Sequence, residues 1–362
     1  MVSFGSRRHG SGVVLWALMG VVALFLLAPS VKGAEMGSNI LLPLPEVAIP
    51  PVQGKTLGSD LFEIDQDAHL LYIADRTDHG VDVFDIRTPS AKYMTTIPTG
   101  EDPNGVILAK NVNKLVMGGA NSDVVIVDAD PMSPHHYTVI ARLNTGGKKR
   151  VDEGDYDPVE KKVYIANSDD GIITVVDVVA NKIIKKWTDM GEGLEQPRYN
   201  PGDGMMYMTS SDQNTVFTFN PRNDTLVTKT KVSVACNPNG LAINPKTGQA
   251  LLGCSDKKSG HTVLWDLKGG KVITTFSQIW AGDQAVYNAK DNLFFFAASN
   301  QPNGAQVGVF TGGPNVRYVG GAPTYAGSHG VGYDQTNRVV YVQDQRPNSA
   351  GLLAFFLSSV PK

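Results

Sequence analysis

Seven polar residues recur at near-constant spacing: Asp60, Asn104, Asp152, Glu195, Asn239, Asp283 and His329, separated by 44, 48, 43, 44, 44 and 46 positions. If the fold gathers them, four carboxylates, two amides and one imidazole share one small volume. Four carboxylates at close quarters repel one another, and some of their pKa values rise unless a cation intervenes. Ca²⁺ or Mg²⁺ is one such cation, since both take carboxylate, amide and water oxygens. Asp60, Asp152, Glu195 and Asp283 are therefore candidate metal ligands. A metal held there would polarise an ester or lactone carbonyl while His329 served as the catalytic base. A plainer reading competes. Asn and Asp favour turns that lead into strands because their side chains tie down the local backbone. On that reading the column is a wet, ligand-contacting rim that includes Asn104 and Asn239.

Each of the seven opens a phrase of one rhythm: SDLFEID (59–65), PNGVILA (103–109), VDEGDYD (151–157), LEQPRYN (194–200), PNGLAIN (238–244), GDQAVYN (282–288) and SHGVGYD (328–334). A polar turn follows, then a β-rich run: LLYIAD, LVMGGA, KVYIAN, MMYMTS, ALLGCS, LFFFAA and VVYVQD. A second turn leads to a third run such as VDVFDI, IITVVDV or TVLWDL. A fourth, such as KIIKKW or KVITTF, closes most units. Short Val/Ile/Tyr/Phe-rich runs between turn clusters are strands, and four in a unit of roughly 45 residues make one propeller blade. No segment of the mature chain carries convincing helical periodicity. The spacing predicts an all-β, seven-bladed β-propeller of four-stranded antiparallel blades. The seventh unit ends after GLLAFFL (351–357), one strand short. The segment NILLPLPEVAIP (39–50) has no blade of its own, so it is expected to supply that outermost strand and close the ring. Its prolines suit an edge position.

The runs YIAD, YIAN and YMTS, each one strand after a P-N-G-like turn, resemble the YVTN-type β-propeller repeats of bacterial periplasmic and surface proteins. The likeness covers residues 57–359. It implies the fold and an exported location, and it implies little about activity. LFFFAA and LVMGGA are degenerate copies, and VDEGDYD lacks the usual Pro and Gly, so no site is inherited from the repeat. The carboxylate ring is similar in spirit to metal-dependent propeller lactonases and to the seven-bladed streptogramin lyase, without a residue-by-residue match. A quinone-dependent dehydrogenase is disfavoured, because the chain has only four Trp and lacks a tryptophan-rich repeat.

The N-terminus stands apart. Arg7, Arg8 and His9 precede the apolar run Val13 to Ala28, and Val31-Lys32-Gly33 offers small residues for cleavage. Residues 1–33 read as a secretory signal peptide, with an uncleaved anchor as the alternative, followed by a short linker (34–38) and the propeller (39–362). A periplasmic or secreted monomer is expected. Without residues 1–33 the formal net charge moves from −3 to −6, which gives no electrostatic reason to expect nucleic acid. The two cysteines, Cys236 and Cys254, flank an antiparallel pair in the fifth unit. An oxidising compartment favours a disulfide over two buried thiols. TGGKKR (145–150) lacks the strand–loop–helix context of a phosphate loop. Arg150, Trp280 and Tyr325 are expected on the rim, where they would serve a small-molecule or protein partner. The leading expectation is thus an exported propeller that binds a small molecule or a protein on its polar channel face, with metal-assisted lactonase or lyase chemistry as the alternative.

Overall fold

The computed structural model describes residues 40–358 apart from Lys257, Ser259, Ala281 and Asn300. The expected signal peptide and linker lie outside the described residues. Within them the chain forms seven antiparallel sheets in sequence order around one axis. Blade one, Ser59–Asp65, Leu70–Asp75, Gly80–Asp85 and Lys92–Pro98, shows the plan from axis to rim. Blades two to six begin at the axis with Pro103–Ala109, Gly154–Asp157, Leu194–Asn200, Pro238–Asn244 and Gly282–Asn288. Blade seven contributes Val331–Asp334, Val339–Asp344 and Gly351–Leu357. Its rim is Leu41–Pro43 and Val47–Ala48, both antiparallel to Gly351–Leu357. The N-terminal segment therefore closes the ring.

Every blade is packed on both faces by its neighbours, which explains the composition of the strands. The second strands are buried almost throughout, as in Leu293–Ala298, and read as unbroken apolar runs. The rim strands have one drier side and one wet side, so Val139–Asn144 alternates. Seven apolar clusters form, one at each blade-to-blade junction. The junction of blades seven and one is filled by Val47, Ile49, Val52 and Leu57 of the closing segment, with Ile49, Val52 and Leu57 wholly buried. Arg346 fastens that segment by bonding Glu46 at 2.6 Å as well as Asp344, while its guanidinium stacks on Tyr325.

Cys236 and Cys254 form a disulfide across 18 positions, at the same end of blade five where Pro238 pairs with Cys254. The bond staples the blade beside the channel mouth.

Candidate functional site

The inner strands explain how the second residue of each phrase reaches the axis. In blades one, two, four, five and six the ladder slips immediately after its first pair, for example between Ser59↔Asp75 and Phe62↔Ile73. The same slip recurs at Pro103/Gly105, Leu194/Pro197, Pro238/Leu241 and Gly282/Ala285. A bulge frees one residue from the pairing and re-aims its side chain. Asp60, Asn104, Glu195, Asn239 and Asp283 occupy those positions. In blades three and seven the ladder begins only at Gly154 and Val331, so Asp152 and His329 sit just above it. The glycine of P-N-G has its own task. A Cβ at Gly240 would lie 2.2 Å from the Asp283 carbonyl oxygen, so only glycine lets blade six approach this closely.

Six of the seven expected residues line one polar cavity of about 430 Å³ at the channel mouth: Asp60, Asp152, Glu195, Asn239, Asp283 and His329. Arg150 lines it as well. The seventh, Asn104, stands behind the wall, where its Oδ1 accepts from Arg76 Nε at 3.0 Å and its Nδ2 donates to the Val151 carbonyl at 2.9 Å. Trp280 and Tyr325 are not part of the lining. Trp280 is buried against Gly260, and Tyr325 lies half-exposed under Arg346.

Arg76, Glu153, Ser168, Asp169, Ser211 and Asp212 also line the cavity and were not singled out from the sequence. A signal existed. Arg76, Ser168 and Ser211 are the first residues after the second strands of blades one, three and four, at the same end as the column.

Repulsion in the ring is met by groups of the chain itself. Arg76 pairs with Asp60, and Arg150 pairs with Asp152 at 2.8 Å. His329 Nδ1 lies 2.5 Å from the Gly327 carbonyl and its Nε2 lies 3.1 Å from Asp60, so both ring nitrogens face acceptors. The imidazole thereby ties blade seven to blade one. Burial, reinforced by Asp283, pushes the Glu195 carboxyl up to about 8, although the Ser211 hydroxyl donates to it at 2.8 Å. Burial, with Asp283 and Asp152 nearby, raises Glu153 well above the usual range. Burial also raises Asp152 against the pull of Arg150 and Arg76. Near neutral pH, Glu195 therefore holds its proton. Asp169, Asp212 and Asp283 make no ion pair among the described residues. No group of three acidic, His or Cys side chains among the described residues is arranged to hold a metal ion.

Two glutamines follow column members directly in sequence, Gln196 after Glu195 and Gln284 after Asp283, and cross-link the inner strands there. Gln196 donates to the Asp283 carbonyl at 2.8 Å and accepts from Leu241 N at 3.2 Å and from Arg198 at 2.8 Å. Gln284 accepts from Phe62 N at 3.0 Å and Val331 N at 2.8 Å, and donates to the Phe62 carbonyl at 2.7 Å. Both are buried, and their bonds reach from blades four and six to blades five, seven and one. Buried amides satisfied on both ends hold such a crossing rigid.

No family model matches the chain, and no curated protein sequence matches it. Among solved structures it is similar to a chain from "Crystal Structure of Mitotic Checkpoint Complex", at 14% identity and a TM-score of 0.70, covering 94% of this chain and 99% of that one. It is also similar to "Structure of U3-55K", at 10% identity and a TM-score of 0.66, covering 84% and 97%. At such low identity these likenesses support the propeller fold alone.

Proposed function

We propose that the protein is an exported propeller of the YVTN type whose channel mouth binds a small organic cation. The observation that carries this reading is the charge balance of the cavity. Arg76 and Arg150 are each engaged by an aspartate, whereas Asp169, Asp212 and Asp283 make no ion pair among the described residues. A ligand carrying an ammonium or guanidinium group supplies the missing positive charge, and the surrounding Asn239, Ser168 and Ser211 offer hydrogen bonds to its polar substituents. The size of the cavity suits a small molecule. The cysteine pair supports export, because disulfides persist in oxidising compartments. The same unpaired aspartates admit a second reading: a Lys or Arg side chain of a protein partner enters the mouth.

Calorimetric titration of the mature protein with tetramethylammonium, with a lysine-containing peptide and with Ca²⁺ or Mg²⁺ separates the possibilities. Saturable binding of tetramethylammonium that is lost in Asp283→Asn supports the proposal. Binding of the peptide alone favours a protein partner. Stoichiometric metal in the purified protein, with a melting temperature that falls on chelation, would replace both with the metal-assisted lactonase or lyase, using Asp60, Asp152, Glu195 and Asp283 as ligands and His329 as base.

A further inference from the structure

Beyond the Gln196–Gln284 cross-links the channel opens again, into a chamber of about 360 Å³ that shares no lining residue with the mouth. Three strand positions below the mouth column, the inner strands present a second column: Glu63, Ile107, Asp155, Arg198, Ala242, Val286 and Gly332. Its charged members come from blades one, three and four. Blades five, six and seven face them with Ala242, Ala285, Val286 and Val331. The charged groups of the chamber thus lie on one side, and the opposite side carries an aliphatic patch flanked by Gln284, Tyr287, Asn288 and Tyr333.

The charged side is incompletely satisfied. Arg198 donates to the Pro197 carbonyl at 2.7 Å and to Gln196 Oε1 at 2.8 Å, both neutral oxygens. Among the described residues no carboxylate lies within 4 Å of its guanidinium, which has five N–H donors to place. Asp155 accepts from Tyr199 N at 2.6 Å through one oxygen and lines the chamber beside Glu63. Arg198 is half-buried, and Asp155 and Glu63 lie near enough to feel its charge without forming an ion pair with it among the described residues. A planar guanidinium in that state is shaped to take a carboxylate through two parallel bonds.

We propose that this chamber is a second binding site, for an α-amino acid with a small or medium aliphatic side chain. The ligand carboxylate lies on Arg198, its ammonium group between Asp155 and Glu63, and its side chain against Ala242, Val286 and Val331. Opposite charges of the chamber are then matched by a ligand of zero net charge. Burial pushes Glu63 up to about 8, which supports the same assignment.

The proposal stands apart from the mouth and is tested separately. The mature protein is titrated calorimetrically with L-alanine, L-valine and L-leucine, and then with isobutylamine and isovalerate, which are L-valine without its carboxylate and without its amine. One-to-one binding of at least one amino acid is expected, with both valine analogues at least tenfold weaker than L-valine. Arg198→Gln and Asp155→Asn should each weaken amino-acid binding at least tenfold. Arg198→Lys, which keeps the charge but loses the two-pronged geometry, serves if Arg198→Gln does not fold. Asp283→Asn in the mouth should leave amino-acid affinity within twofold. Absence of binding by all three amino acids at millimolar concentration, equal binding of the analogues, or unchanged affinity in the folded Arg198 and Asp155 variants would overturn the assignment.

Discussion

Glu195 offers a direct test of the mouth, because its proton controls the charge that a cation meets there. Its carboxyl titrates at about 8, raised first by burial and then by Asp283. Below that pH it is neutral, and above it the cavity gains one negative charge. A sphere of the cavity's volume has a radius of about 5 Å, so a central cation and a wall carboxylate, at an effective dielectric of about 20, attract by roughly 3 kcal/mol. That corresponds to about a hundredfold in affinity. Tetramethylammonium is the appropriate probe, since its charge is independent of pH. Its dissociation constant, measured by calorimetry at steps from pH 6.5 to 9.5, should fall by up to about a hundredfold, most steeply near the Glu195 transition. Binding of a cation favours the ionised carboxyl, so the proton released on binding should be visible as a buffer-dependent heat below pH 8. Glu195→Gln should flatten this dependence while keeping the hydrogen bond from Ser211. Identical pH profiles for the wild type and the variant would refute the placement of the cation beside Glu195.

Further outcomes follow from the rest of the molecule. Asp75 and Asp82 are wholly buried near each other in blade one, and burial, with Asp75 alongside, pushes Asp82 up to about 8. The native state then holds a proton that the unfolded chain releases, so this group lowers stability as pH rises from about 4 to about 8. Asp82→Asn should make the pH slope of stability shallower by about 1.4 kcal/mol per pH unit, and parallel urea-denaturation series at pH 5 to 8 would contradict the assignment. Replacing both Cys236 and Cys254 with Ser should cost about 3 kcal/mol in denaturant stability, the loop-closure value for a link of this span; an unchanged midpoint would show that blade five needs no staple. Ile49→Ala, at the junction that closes the ring, should cost about 2–5 kcal/mol by the same measurement, whereas a cost below about 1 kcal/mol would mean the closing segment is not part of the cooperative fold.

Much of the architecture was legible because a repeat converts spacing into geometry. Strand-rich runs at regular intervals cannot bury both faces alone, and stacking them around an axis buries both. The same regularity placed Asp60, Asp152, Glu195, Asn239, Asp283 and His329 around one cavity, and it left 39–50, a strand-like segment with no blade of its own, to complete blade seven. It also put Cys236 and Cys254 at the same end of neighbouring strands, where they are bonded.

Periodicity is blind to what happens across the axis. It gives every blade an equivalent position, but it does not say that Asn104 turns back to hold Arg76, or that Arg76 reaches Asp60 from a turn. Trp280 and Tyr325 had the composition of rim residues, yet burial under Gly260 and stacking beneath Arg346 take them out of the mouth. The glutamine cross-links are the clearest case. Gln284 meets the backbone of Phe62, 222 positions away, and Gln196 meets that of Asp283, 87 positions away. In the sequence each is one polar residue in a strand. Only ring closure brings the partners within hydrogen-bonding range, and only then does one channel become two chambers with separate chemistry.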